Sequence, residues 1–185
     1  HDRVVGVITR TDLLNLMISD SARIPEHVSD AGSQNRHVRT RNVIKYMEDR
    51  LSKEVINILK KVGEVADIVG YNAYAVGGFV RDIFLNRDNY DIDIVVEGDG
   101  IKFAKALANQ TGARVRSHEK FRTAVVILPD GMKIDVATAR LEYYKSPASL
   151  PTVERGSLKL DLYRRDFTIN TLAIQLNSKH FGTLI

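Results

Sequence analysis

The stretch whose reading decides the fold is Val76-Gly77-Gly78-Phe79-Val80-Arg81-Asp82, with Asp91-Ile92-Asp93-Ile94-Val95-Val96 a few residues on. Two glycines between an apolar strand and a helix leave backbone N–H groups that no Cβ shields, at a helix end whose dipole favours an anion such as phosphate. In the second segment the two-residue period of a strand sends Asp91 and Asp93 to one face and Ile92 and Ile94 to the other. Carboxylates sharing a face repel unless a cation lies between them, and hard Mg²⁺, whose remaining positions go to water and phosphate, is the natural occupant. A solvated strand face is the plainer reading of a D-x-D triplet taken alone; its place directly after a strand-Gly-Gly-helix unit favours the metal.

Working outward, Lys133-Ile134-Asp135-Val136 repeats the alternation, so Asp135 points away from Ile134 and Val136 on a strand that can lie beside the first. A third carboxylate there completes a two-metal site that neutralises phosphoryl oxygens and stabilises attacking and leaving oxygens; the alternative is a solvated Asp near a hairpin. Upstream, Val55, Ile58, Leu59, Val62, Val65, Ala66 and Val69 recur at helical spacing between Ser52 and a stop at Gly70. A short helix is expected before it, over Val43 to Leu51. The spacing further predicts a strand at Ala73–Val76, helices at Phe79–Leu85 and Gly100–Gln110, and strands near Arg114–Arg116, Thr123–Leu128 and Met132–Thr138. Pro129-Asp130-Gly131 turns the last two into a hairpin. An irregular stretch with Pro147 and Pro151 follows, then a helix capped by Ser157 and a last strand at Leu172–Leu176. The fold class expected is α+β, with a mixed, largely antiparallel sheet flanked by helices.

Composition narrows the chemistry. The 185 residues contain no Cys, which excludes a disulfide framework, a Cys-ligated zinc site and a thiol nucleophile. Twenty-seven Lys and Arg against 23 Asp and Glu give a net charge of +4, which favours phosphate-bearing partners. With no Trp and few other aromatics, binding of single strands mainly by base stacking is poorly supported. No run approaches the roughly 20 apolar residues of a membrane span. The start, His1-Asp2-Arg3, is neither a signal peptide nor an initiator Met, so an excised piece of a cytoplasmic protein is expected.

Three regions are expected: residues 1–17, 18–42 and 43–185. In the first, a β-branched run, Val4 to Thr9, leads into a helix that Thr11 can cap; Gly6-Val7-Ile8-Thr9-Arg10-Thr11-Asp12-Leu13 resembles the end of a CBS domain, though any strand-helix tail reads the same way. Residues 18–42 lack periodicity and end in the basic Arg36-His37-Val38-Arg39-Thr40-Arg41, a solvated connector or an RNA-backbone contact.

Gly77-Gly78 followed by Asp91-Ile92-Asp93 resembles the DNA polymerase beta nucleotidyltransferase superfamily. Together with Ala137-Thr138-Ala139-Arg140-Leu141-Glu142-Tyr143-Tyr144 and Leu160-Asp161-Leu162-Tyr163-Arg164-Arg165-Asp166-Phe167-Thr168-Ile169-Asn170, it resembles the head domain of the class II tRNA nucleotidyltransferase and bacterial poly(A) polymerase family. The resemblance implies a polymerase-beta-like head that adds nucleotides from NTPs (ATP, and CTP in some members) to an RNA 3′ end, typically of tRNA, by a two-metal Mg²⁺ mechanism. It implies that Asp91 and Asp93 bind the metals and that Asp135 is the third carboxylate, helping to activate the RNA 3′-hydroxyl. Gly77, Gly78 and Arg81 would hold the triphosphate. Arg165, Asp166 and Asn170 would lie near the ribose, with Arg140 in a flexible part of the head. Ordinary readings stand beside these: Arg164 and Arg165 as ion-pair partners of Asp161 or Glu154, Asp82 as a helix stabiliser, and His118 and His180 as surface residues.

The family reads the nucleobase with a Glu-Asp-x-x-Arg motif after the head, which this sequence lacks. The chain is therefore expected to be the head of a longer protein, transferring little alone, with CCA addition, A addition and poly(A) synthesis all open. A same-fold transferase acting on a small molecule or protein, and a non-catalytic nucleotide-sensing fragment, are the competing functions.

Overall fold

A computed structural model describes residues 40–88, 91–143 and 152–185, with backbone alone at 140–143 and 152–155. The CBS-like segment, the Thr11 cap and most of the expected linker lie outside the described residues. Helix α1 (Ile44–Arg50) precedes the longer α2 (Lys53–Val69). Ser52 caps α2 by accepting a hydrogen bond from the Val55 N–H at 3.3 Å, and Gly70 ends it in the left-handed region at φ 74°.

Strand β2 (Asn72–Val76) runs into α3 (Gly77–Leu85), and β3 (Ile92–Glu97) into α4 (Gly100–Thr111). Strands β4 (Arg114–His118), β5 (Thr123–Ile127) and β6 (Lys133–Thr138) form a meander. Its second turn is the expected one: the Gly131 N–H donates to the Leu128 carbonyl and the Met132 N–H to Asp130 Oδ1, each at 2.9 Å. A two-stranded ribbon, β7 (Arg140–Tyr143) with β8 (Thr152–Arg155), leads to α5 (Leu158–Tyr163), β9 (Ala173–Gln175) and β10 (Thr183–Leu184). With β1 (Arg41–Asn42) these build an eight-stranded sheet in the order β1-β10-β9-β2-β3-β6-β5-β4. Among the described strands only β3 and β6 run parallel.

The α+β expectation therefore holds, with three corrections. The end of the expected linker, at Arg41–Asn42, is a strand paired with β10. The stretch expected to be irregular carries the β7–β8 ribbon. Ser157 stands at the N-cap of α5, but its side chain makes no capping hydrogen bond. Instead the Glu97 carboxylate accepts from the Leu158 N–H at 2.7 Å.

The two sheet faces differ. One is covered by α1 to α4, whose Met47, Leu59, Val62, Phe79, Phe103 and Leu107 pack on Ile92, Ile94, Val126, Ile134 and Val136. On the other, a smaller cluster of Tyr74, Val76, Val95, Ala139, Leu158 and Ala173 seats α5 over the β9-β2-β3 half. Asn177, 7% exposed, locks the strands to α2: it accepts from the Ala73 N–H and donates to Asp67 and to the Tyr71 carbonyl. No described helix is long and apolar enough to cross a membrane.

Candidate active site

Alternation on β3 and β6, joined by parallel pairing, sets the carboxylates. Asp93 lies opposite Asp135 in the register, on the face away from α1 to α4, because Ile92, Ile94, Ile134 and Val136 take the buried face. Asp91 stands just before β3 rather than on it. Burial and then Asp135 push the Asp93 carboxyl above its ordinary range, with Asp91 adding to the rise and the Arg165 guanidinium pulling against it. Asp135 is also raised, by partial desolvation and then by Asp91, with Lys133 opposing. All three carboxylates thus share one field. Among the described residues, however, no three acidic or His side chains are arranged as a ready cage for a metal. The donor set nonetheless suits a hard divalent cation, since every candidate ligand is a carboxylate oxygen and each disfavours its neighbour's charge.

The Gly77 turn faces this pair. Gly77 opens α3 with φ 69°, where L side chains are strained, and a Cβ there would lie 3.0 Å from Arg165 Nη1 and 3.7 Å from Asp93 Oδ2. Asp93, Asp135, Arg165, Val76 and Thr123 line a cavity of about 300 Å³.

Arg165 reaches the cavity because α5 is fixed at both ends. At its start Glu97 holds the Leu158 N–H, while the other Glu97 oxygen accepts from Asn72 and Tyr74. Near its end the fully buried Asp161 accepts from Arg164 at 2.7 Å and from Arg165 Nη2 at 3.1 Å. The ordinary reading of both arginines as partners of Asp161 is thus realised, yet Arg165 does more. Its Nη1 donates to the Asn170 carbonyl at 3.4 Å and sits over Gly77, and its Nε is buried without a hydrogen-bond partner among the described residues.

Arg81 is engaged by protein: Nε and Nη2 donate to Asp82 at 2.7 and 3.0 Å, and Nη1 to Asn170 Oδ1 at 3.0 Å. Asn170 therefore links Arg81 and Arg165. Asp166 is exposed and accepts from the Phe167 N–H. Arg140 begins β7, and its side chain lies outside the description. Sequence reasoning missed Glu97, although the same alternation that pairs Asp91 with Asp93 puts Glu97 on their face.

Glycine turn, paired carboxylates on parallel neighbours and the mixed sheet define a nucleotidyltransferase head of the polymerase-beta-like kind. The chain belongs to the family described as the poly(A) polymerase head domain, whose model matches residues 73–184, and within it to the class II tRNA nucleotidyltransferases. It is 57% identical over 184 residues to an A-adding tRNA nucleotidyltransferase of Geobacter sulfurreducens, covering 100% of this chain and 21% of that protein. A CCA-adding enzyme in an apo form superposes with a TM-score of 0.76 at 48% identity, over 80% of this chain and 35% of the other. The Thermotoga maritima CCA-adding enzyme complexed with tRNA gives 0.70 at 41% identity, over 80% and 33%. The chain thus spans only about a fifth to a third of the length of these relatives.

Proposed function

We propose that this chain is the catalytic head of a template-independent nucleotidyltransferase that joins a nucleotide from an NTP to a tRNA 3′ end, working with Mg²⁺ in the cytoplasm. The observation that carries the reading is the Asp93–Asp135 pair beside the Gly77 turn. Bound between these carboxylates, with Asp91 drawn in, divalent cations would neutralise phosphoryl oxygens and polarise the attacking hydroxyl. Transfer to a hydroxyl requires positioning and charge neutralisation rather than a protein nucleophile, in keeping with a cysteine-free chain. Asp135 accepts the 3′-hydroxyl proton at a carboxylate oxygen as the hydroxyl oxygen bonds to the α-phosphorus and pyrophosphate departs. Gly77 and Gly78 leave room for the triphosphate at the start of α3. Arg165, anchored by Asp161, presents a fixed positive charge to it, and Arg81 steadies Asn170. Asp166 and Asn170 make up the ribose-side group. The strong likeness to an A-adding relative supports ATP as the donor.

Residues 1–17 belong to the same proposal as the end of a CBS module. The test is incubation of a protein of the relatives' length that carries this head with Mg²⁺, labelled ATP or CTP, and tRNAs ending in CC or lacking CCA. Addition of A to the CC end supports the reading; no 3′ extension with either nucleotide contradicts it.

A further inference from the structure

We propose that the β4 edge of the sheet carries a track for the phosphate backbone of the RNA 3′ strand, formed by Lys133, Arg114, Arg116 and His118. The inference rests on the transferase reading above and deepens it by assigning the path of one substrate.

The register alone places the track. Asp93 pairs with Asp135, Asp135 with Val125, and Val125 with Arg116, so this row of four residues points to one face. Parallel rows lie on either side: Ala137, Thr123 and His118 in one, Lys133, Ile127 and Arg114 in the other. Burial agrees with the register. Ala124, Val126, Ile134 and Val136 are buried on the helix side, while Lys133, Arg114, Arg116 and His118 are exposed and Thr123, Val125 and Ile127 are half-buried. Among the described residues the α5 cluster covers this face at β9, β2 and β3 and reaches β6 at Ala137, so beyond it the face continues over β5 into a basic edge on β4. Neither Arg114 nor Arg116 makes an ion pair with a described residue.

The chemistry chooses the ligand. Gly77 follows β2, on one side of Asp93, and the basic edge lies on the other side, beyond β6 and β5. In phosphoryl transfer the attacking and leaving oxygens stand roughly in line across the phosphorus. If the 3′-hydroxyl attacks the α-phosphorus and the pyrophosphate leaves toward Gly77, the hydroxyl must arrive from the β6 side, past Asp135. Strands are about 4.8 Å apart, so Arg116 on β4 stands roughly 10 Å from Asp135, within the span of the last nucleotides of a strand ending there. Cations on an edge strand also discourage sheet-to-sheet association, but for that purpose a glutamate serves as well as an arginine. An RNA track needs the positive sign.

The test measures binding of a labelled oligoribonucleotide ending in CC, and of ATP, to the 185-residue chain across a salt series. Arg114→Gln with Arg116→Gln should weaken RNA binding about tenfold and flatten the slope of log affinity against log salt by roughly 0.7 per lost contact. ATP affinity should not change. Arg116→Glu should weaken RNA binding further, while Lys105→Gln, on the helix-covered side, should leave it unaltered. RNA affinity within twofold of wild type in the double variant, or an equal loss of ATP affinity, would overturn the track. A wild-type chain that binds ATP but no RNA even at low salt would also overturn the track, whereas failure of the transferase reading beneath it shows separately, as absence of 3′ extension in the assay above.

Discussion

Asp93 and Asp135 lie directly opposite one another across the parallel β3–β6 pair, each with its carboxyl pushed above the ordinary range in part by neighbouring carboxylates. The arrangement holds like charges together at some cost to the metal-free fold. Asp135→Asn should accordingly raise the thermal midpoint of the metal-free protein by about 1–2 °C, as relief of repulsion worth a fraction of a kcal/mol would give. Calorimetry in chelator checks this; a clearly lowered midpoint would show that the pair does not repel.

The sign of the pH effect follows. A carboxyl whose folded pKa exceeds its unfolded value binds more protons when folded, so its contribution to metal-free stability is full below the unfolded value, is lost as pH rises to the folded value, and is flat above it. Protons also compete with the cation. Divalent affinity, measured by titration calorimetry with Mn²⁺, should therefore begin to fall at a pH above the usual carboxylate range, near 4. A flat affinity down to that range would contradict the raised values.

Gly77→Ala puts a Cβ at φ 69° and 3.0 Å from Arg165 Nη1. The backbone conformation alone costs on the order of 1 kcal/mol, and the guanidinium must shift from its place beside Asp93. Urea unfolding should show that loss, and transfer should fall by well over the corresponding fivefold because the same atom disturbs the site.

Asp161→Ala strips a fully buried carboxylate from two arginines that are 31% and 21% exposed. Breaking such a pair by removing one partner costs about 3 kcal/mol or more. Asp161→Asn, keeping the shape, should fold with a smaller loss and weaken ATP binding by releasing Arg165. Arg164→Ala should lower stability while sparing ATP affinity. Equal effects of the last two variants on ATP binding would show that Arg165 is not held for the nucleotide.

Where a local signal sets the structure, the sequence was legible. Ser52 and Gly70 bound α2, Pro129-Asp130-Gly131 makes the turn, and alternation alone orients Asp93 and Asp135. Elements that exist only through distant partners were not: β1 is two residues held by β10, and the β7–β8 ribbon spans a stretch whose prolines suggest a loop. Ser157 is the N-cap of α5 as expected, but the acceptor for the Leu158 N–H was not readable for the same reason, since Glu97 is 61 residues away. Of the site, the carboxylates and Gly77 were readable as types in a pattern. The Asp82–Arg81–Asn170 connection depends on how α3 meets the turn at Thr168–Asn170, which no spacing encodes.

The most direct test of the central claim is 3′-end extension of a tRNA ending in CC by a protein of the relatives' length that carries this head, wild type against Asp93→Ala, in Mg²⁺ with labelled ATP. The account predicts that the variant folds normally and loses transfer by at least about a thousandfold, because a carboxylate that holds the charge-neutralising cation is gone. Extension by Asp93→Ala within a few-fold of wild type would contradict it.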